Sequence, residues 1–287
     1  MTTTALIKRL FPQFPYSQDE SRRILRRFFH RFTYRVEGIE HVPRQGPVLL
    51  VMNHTGWEEI LLLILSTPRP IKFVGIAEKL HLDEEISWSR LYETVHFEHV
   101  GPRARAILPY LGRHVGESVR LQLLEFGFIP THVRSKVRGI HVGTNGIREI
   151  LRNLEQQEMI VLFPEAGLNR RGCMLPFRPG VGLLIRQAER MGIPLQILPC
   201  AQHSAGCLSW RLRNIYEPRL VYGKPLRLAT AGRTAAQFDG WVTSFLQDQV
   251  YSLMQRAWEG FDIPVQKYPG HSVAEPVTAE NVELRDG

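Results

Sequence analysis

The chain is short of cysteine, of long apolar runs and of any hydrolase elbow, and each shortage narrows what it can be. Its three cysteines, Cys173, Cys200 and Cys207, are an odd number and too widely spaced for a CxxC metal knuckle. A reduced, structural role fits them, so no metal site is expected. The longest uninterrupted aliphatic run near the N-terminal third is Ile60 to Leu65. A helix needs about 20 apolar residues to span a bilayer, so no transmembrane segment is predicted. No basic start followed by an apolar stretch and a small-residue cleavage site is visible, and the expectation is an intracellular protein. A Gly-x-Ser-x-Gly elbow is absent and His203-Ser204 forms no triad pattern, which argues against a nucleophilic hydrolase. Internal repeats and low-complexity tracts are missing as well.

What is present is a globular composition with a basic balance. The 287 residues are 44% hydrophobic and 22% charged, enough for a substantial core and too polar for a membrane bundle. Lys plus Arg is 36 against 28 Asp plus Glu, a net charge of +8. Such a protein meets nucleic acid, anionic lipid or an acidic carrier. In Ser21 to Arg35 the arginines 22, 23, 26, 27, 31 and 35 alternate with Ile24, Leu25, Phe28, Phe29 and Phe32 at spacings of three and four. That is an amphipathic, cationic helix. It suits an anionic membrane surface, or it packs on the domain with its arginines in water. No stacking platform or nucleic-acid motif accompanies it, so nucleic acid is not an expected partner.

Three regions follow from the patterning. Residues 1–35 read as N-terminal amphipathic basic helices, split by the proline-containing stretch Phe11 to Tyr16. Residues 36–262 alternate short apolar runs with helical periodicity, the mark of an α/β domain. Strands are expected at Val48–Met52, Ile71–Ile76, Met159–Phe163, Leu195–Leu198 and Arg219–Val221. Helices are expected at Glu58–Leu65, Gly146–Gln156, Gly180–Met191 and Phe238–Trp258. Within the domain, 81–126 breaks the rhythm and reads either as a lid or membrane-facing insertion, or as two ordinary surface helices. Residues 263–287 have little apolar content and read as a flexible tail.

The strand Val48–Met52 runs into Asn53-His54-Thr55-Gly56-Trp57-Glu58-Glu59. Ligands of open α/β sheets bind at the carboxyl ends of strands, which is where His54 falls. Thr55 and Glu58 have the spacing of a capping box ahead of an apolar run. Glu59 then lies in the first helical turn, from which its carboxylate can fold back to the imidazole. It would hold one ring nitrogen protonated and leave the other free to accept a proton, as a general base requires. A histidine followed by a carboxylate is by itself more often a capping arrangement than a catalytic pair. A second strand end strengthens the case. Met159–Phe163 runs into Phe163-Pro164-Glu165-Ala166-Gly167, then Arg170, Arg171 and Leu175-Pro176-Phe177-Arg178-Pro179-Gly180.

Together these segments resemble the glycerophospholipid acyltransferase family typified by 1-acyl-glycerol-3-phosphate acyltransferase. The four family motifs correspond, in order, to Asn53–Glu59, Gly127–Arg134, Phe163–Asn169 and Ile193–Pro199, and the likeness spans roughly 34–228. It implies a mixed central sheet flanked by helices, no cofactor and no acyl-enzyme. His54 and Glu59 would be catalytic. Asn53, Arg134, Glu165, Gly167, Arg170, Arg171 and Arg178 would bind substrate. Oxyanion donors would come from backbone N–H groups near Gly167 or in Pro194–Pro199. The implied donor is acyl-CoA or acyl carrier protein and the implied acceptor a lysolipid. The implied location is cytoplasmic, peripheral on the inner face of a membrane. Two departures stand out. Glu59 replaces the usual Asp. Ala166-Gly167-Leu168-Asn169 replaces Gly-Thr-Arg-Ser, so Leu168 stands where the family has the arginine held to contact the acceptor's phosphate. Arg134, Arg170 or Arg171 would take that role, or the acceptor is not a simple glycerol phosphate. A non-catalytic lipid- or carrier-binding relative is the competing reading.

Overall fold

The structure, a computed structural model, describes residues 16–28, 34–54, 58–76, 122, 124–131, 144–167, 173–203, 218–230, 232–259 and 266–267. Its centre is β2 (Val48–Met52), and every side chain of this apolar run is buried. A strand that is apolar on both faces must be covered on both. β5 (Met159–Leu162) and β7 (Gln196–His203) flank it, each parallel to it. Outward from these lie β3 (Lys72–Ile76) and β4 (Ile129–Thr131) on one side. On the other side lie β8 (Arg219–Tyr222) and β1 (Arg35–Glu37). The order is β1-β8-β7-β2-β5-β3-β4. β8 runs antiparallel to β7 and carries β1 parallel beside it, so the sheet is mixed, as expected.

Strand alternation sorts the core into two layers. Leu49 and Val51 join Ile160, Ile197 and Val221 under α3 (Thr144–Glu155), α4 (Gly180–Arg190) and α5 (Ala235–Ala257). Val48, Leu50 and Met52 join Met159, Val161 and Leu198 on the opposite face, where α2 (Glu58–Ser66) contributes Leu63 and Ile64. Each such Leu, Ile or Val contributes about 1.5–3 kcal/mol by leaving water. The consequence for the site is positional. β7, β2 and β5 are neighbours and run the same way, so their carboxyl ends open on one edge.

Two elements extend beyond expectation. β7 continues through Pro199 to His203 instead of stopping at Leu198. Gln196 donates toward Pro47 at the head of β2 and Ile197 donates the other way, to Leu226. By alternation the N–H that proline lacks would point away from β2. It falls at the gap between the Ile197–Leu226 bridge and the β8 ladder, which starts at Cys200. The expected tail is also tethered. β9 (Gln266–Lys267) pairs in parallel with β6 (Cys173–Met174), because main-chain pairing needs no apolar side chain.

At the N-terminus, α1 (Gln18–Phe28) starts from a reciprocal Ser17–Glu20 cap. It does not continue to Arg35, which instead opens β1 with its N–H on Pro218 O, 2.8 Å. The first expected helix, before Phe11, and residues 29–33 lie outside the described residues. So does most of the 81–126 segment. α1 packs on the domain. Arg22 donates to Ile64 O (2.8 Å) and Thr67 O (2.9 Å), where α2 ends with unsatisfied carbonyls. Arg23, Arg26 and Arg27 are exposed. Among the described residues no helix is long and apolar enough to cross a membrane.

Gln18 fixes this docking. Its carboxamide accepts from Ile71 N–H (2.9 Å) and donates to Ile71 O and to Phe126 O, the last at 3.0 Å. Gln18→Leu leaves those buried backbone groups without partners and is expected to cost about 1–3 kcal/mol in chemical denaturation. An unchanged denaturation midpoint would show that the Gln18 contacts contribute nothing to the fold.

Candidate active site

The three parallel carboxyl ends bring Asn53, His54, Glu165 and Gln202 together, and Glu59 reaches them from α2. Asn53 leaves β2 fully buried, and its carboxamide grips the backbone of Gln202 at both groups. Asn53 Oδ1 accepts from Gln202 N–H (2.9 Å) and Nδ2 donates to Gln202 O (3.1 Å). This locks the end of β2 to β7. Asn53 is therefore a strand staple and does not face an acceptor.

His54 follows with its side chain 27% exposed, open enough for a reacting group to reach it. Its Nδ1 is hydrogen-bonded to Oε1 of Glu59, whose side chain is wholly buried in the first turn of α2. The other carboxylate oxygen, Oε2, accepts from Gln202 Nε2 at 3.1 Å. Phe163 stacks on the imidazole with ring centroids 4.4 Å apart. Thr55 and the Glu58 side chain lie outside the described residues, and with them the expected capping box.

The end of β5 turns at Phe163-Pro164-Glu165-Ala166, closed by Ala166 N–H to Phe163 O, 3.2 Å. Glu165 is 3% exposed. Oε1 accepts the backbone N–H of His54 (2.8 Å) and Oε2 that of Leu175 (2.7 Å). Its carboxylate thus fixes the main chain that carries the histidine, and both oxygens are spent on backbone. Burial pushes this carboxyl up to about 8, against the pull of the two N–H donors and with a further push from Glu59. Ala166 adopts a left-handed conformation, φ 50°, which costs a residue with a Cβ on the order of 1 kcal/mol.

Of the remaining expected residues, Gly167 lies beside Leu175, where an added Cβ would come within 3.2 Å of Leu175 Cδ1. Arg178 is exposed, and it is its backbone N–H that contributes, bonding Pro164 O at 2.9 Å. Arg134, Arg170 and Arg171 lie outside the described residues. Pro194–Pro199 is corrected as a source of oxyanion donors. Gln196–Pro199 runs alongside Val48–Val51, so the segment starts at the amino end of the sheet, a strand's length from His54. Gln202 was not anticipated. Its only sequence signal is a polar side chain shortly after an apolar strand run.

The described geometry is thus that of an α/β protein with a histidine hydrogen-bonded to a buried carboxylate where parallel strands end, beside a Phe-Pro-Glu turn. The acyltransferase family profile matches residues 33–202, more than half of the 287, and the chain belongs to that family. The motif resemblance is borne out at this level. Among solved structures, the chain is similar to the 1-acyl-sn-glycerophosphate (LPA) acyltransferase PlsC of Thermotoga maritima. The identity is 15%, over 85% of this chain and 87% of that one, with a TM-score of 0.48. No curated protein sequence matches the chain.

The raised Glu165 carboxyl has a sign for stability. The unfolded chain releases this proton near 4.5 and the folded one near 8, so as pH rises between them this group favours unfolding. Glu165→Gln cannot ionise, and its denaturation midpoint is expected to fall less steeply with pH across that interval than the wild type's. Equal slopes would show that Glu165 ionises freely in the folded protein.

Proposed function

We propose that the protein moves a fatty acyl group from acyl-CoA or acyl carrier protein to a hydroxyl of a lysophospholipid or related glycerolipid, with His54 as general base. The observation that carries this reading is the hydrogen bond from the partly exposed imidazole to the buried carboxylate of Glu59. With Nδ1–H donated to Glu59, the proton-accepting lone pair sits on Nε2. Nε2 takes the acceptor's hydroxyl proton while the oxygen attacks the thioester carbonyl. The tetrahedral intermediate collapses with loss of the thiolate, and the imidazolium returns the proton to sulfur. The products are an ester and a free thiol, with no covalent enzyme intermediate and no cofactor. A positioned base of this kind supplies about 10²–10⁴-fold in rate.

Asn53 and Glu165 act here through the backbone they hold. The loop at Gly167 is the remaining source of oxyanion donors. Arg134, Arg170, Arg171 and Arg178 are the cations available for an anionic acceptor or carrier. The exposed Arg23, Arg26 and Arg27 of α1 support a peripheral position on an anionic membrane surface, on the cytoplasmic side.

The test is acyl transfer from radiolabelled acyl-CoA, and separately from acyl carrier protein, to a panel of lysolipids and simple alcohols. His54→Ala is expected to abolish transfer while the circular dichroism spectrum is retained, and Glu59→Gln to lose most of it. A folded, fully active His54→Ala would sink the assignment. Transfer to lysophosphatidic acid would mean that another arginine serves in place of Leu168. Transfer only to uncharged acceptors would make this an enzyme for a non-phosphate substrate. Silence with both donors would leave a lipid- or carrier-binding relative without chemistry.

A further inference from the structure

Glu59 is one methylene longer than the aspartate the motif usually carries, and the structure gives that extra length a use. Its side chain reaches in two directions at once, with Oε1 on His54 Nδ1 and Oε2 on Gln202 Nε2 at 3.1 Å. Gln202 is fully buried, and its main chain is held at both polar groups by Asn53. The main chain that carries the amide meeting Glu59 is therefore fixed at the strand end. An aspartate at 59 is too short to keep both contacts from the same backbone position, since moving the carboxylate back by one carbon–carbon bond opens one of them by about 1.5 Å.

We propose that Gln202 is a positioning residue for the acyl-transfer base, matched to a glutamate at 59. It occupies the second carboxylate oxygen and thereby holds Glu59 in the single orientation that presents a hydrogen-bond acceptor to His54. This rests on the reading of His54 as the base. The groups around Glu59 make the need plain. His54 stands on the β2 side, Glu165 on the β5 turn and Cys200 on β7. Glu165 and Cys200 contribute negative or neutral groups, and Gln202 is a donor that stabilises the charge without competing for the imidazole's proton. An amide cannot take that proton, whereas an acid or a histidine in its place could.

A double-mutant cycle reads the coupling. Gln202→Leu is expected to lower kcat about tenfold, with KM for both substrates within about twofold. In a Glu59→Asp background, where the contact is already broken, the same substitution is expected to change kcat by less than about twofold. Equal losses in the two backgrounds would overturn the proposal and make Gln202 a packing residue. So would a loss confined to KM or to the melting temperature. Gln202→Met, unbranched and close in length, follows the same expectations should the leucine variant fail to fold.

A readout without turnover separates this proposal from the acyl-transfer reading. The His54 Nδ1–H proton resonance, assigned by its absence in His54→Ala, is expected far downfield in the wild type. It should broaden or shift in Gln202→Met as Glu59 gains a second orientation. A resonance unchanged in Gln202→Met refutes the pairing even if the enzyme is active. A changed one upholds it even if no acceptor is ever found.

Discussion

A carboxylate removed entirely from water must be surrounded by donors before it can be there at all, because an isolated buried charge costs several kcal/mol. Glu59 meets that condition with His54 on one oxygen and Gln202 on the other. His54 sits just past the end of β2 and Gln202 in the last residues of β7, so the polar site inherits its geometry from the apolar register of β2 with β7. Cys200 lies opposite Met52, and two residues further on Gln202 arrives beside Asn53. A slip of β7 by one residue would turn Gln202 to the other face and send Ile197 and Leu198 to the wrong layers. The hydrophobic core and the imidazole are thus specified by the same alignment.

The second carboxyl group near His54 is handled in the opposite way. Glu165 accepts only backbone N–H groups, and burial raises its carboxyl to about 8, with the nearby Glu59 pushing the same way. The turn that carries Glu165 is tight enough to force Ala166 into a left-handed conformation. Strain of this kind survives where surrounding contacts over-determine the backbone. Here Glu165 does so through His54 and Leu175, and Pro164 through the Arg178 N–H.

What could be read from the sequence was local. β2 announced itself as five apolar residues bounded by polar ones, and Asn53–Glu59 and Phe163–Gly167 are contiguous motifs whose chemistry needs no partner to be suspected. The layered fold followed from alternating strand and helix periodicities, with boundaries within a few residues. Gln202 was hidden because its role exists only across the sheet, 149 residues from Asn53. β7 looked shorter than it is because Pro199 reads as a stop until its neighbours are known. The helix starts at Ser17 and Thr234 were marked by Ser-x-x-Glu and Thr-x-x-Gln caps that apolar periodicity alone passes over. The arginines that the motif comparison offered in place of Leu168 lie in segments outside the described residues.

The strand order has a consequence for how the protein is made. β2 leaves the ribosome before either neighbour, since β5 and β7 come more than a hundred residues later, and β1 waits for Arg219. A fully apolar strand therefore waits, while more than a hundred residues are added, with both of its edges unpaired. That is the interval in which it can pair with a second nascent chain, and at about 5–20 residues per second it lasts many seconds. Growth temperature and chaperone supply should accordingly influence the yield of soluble protein.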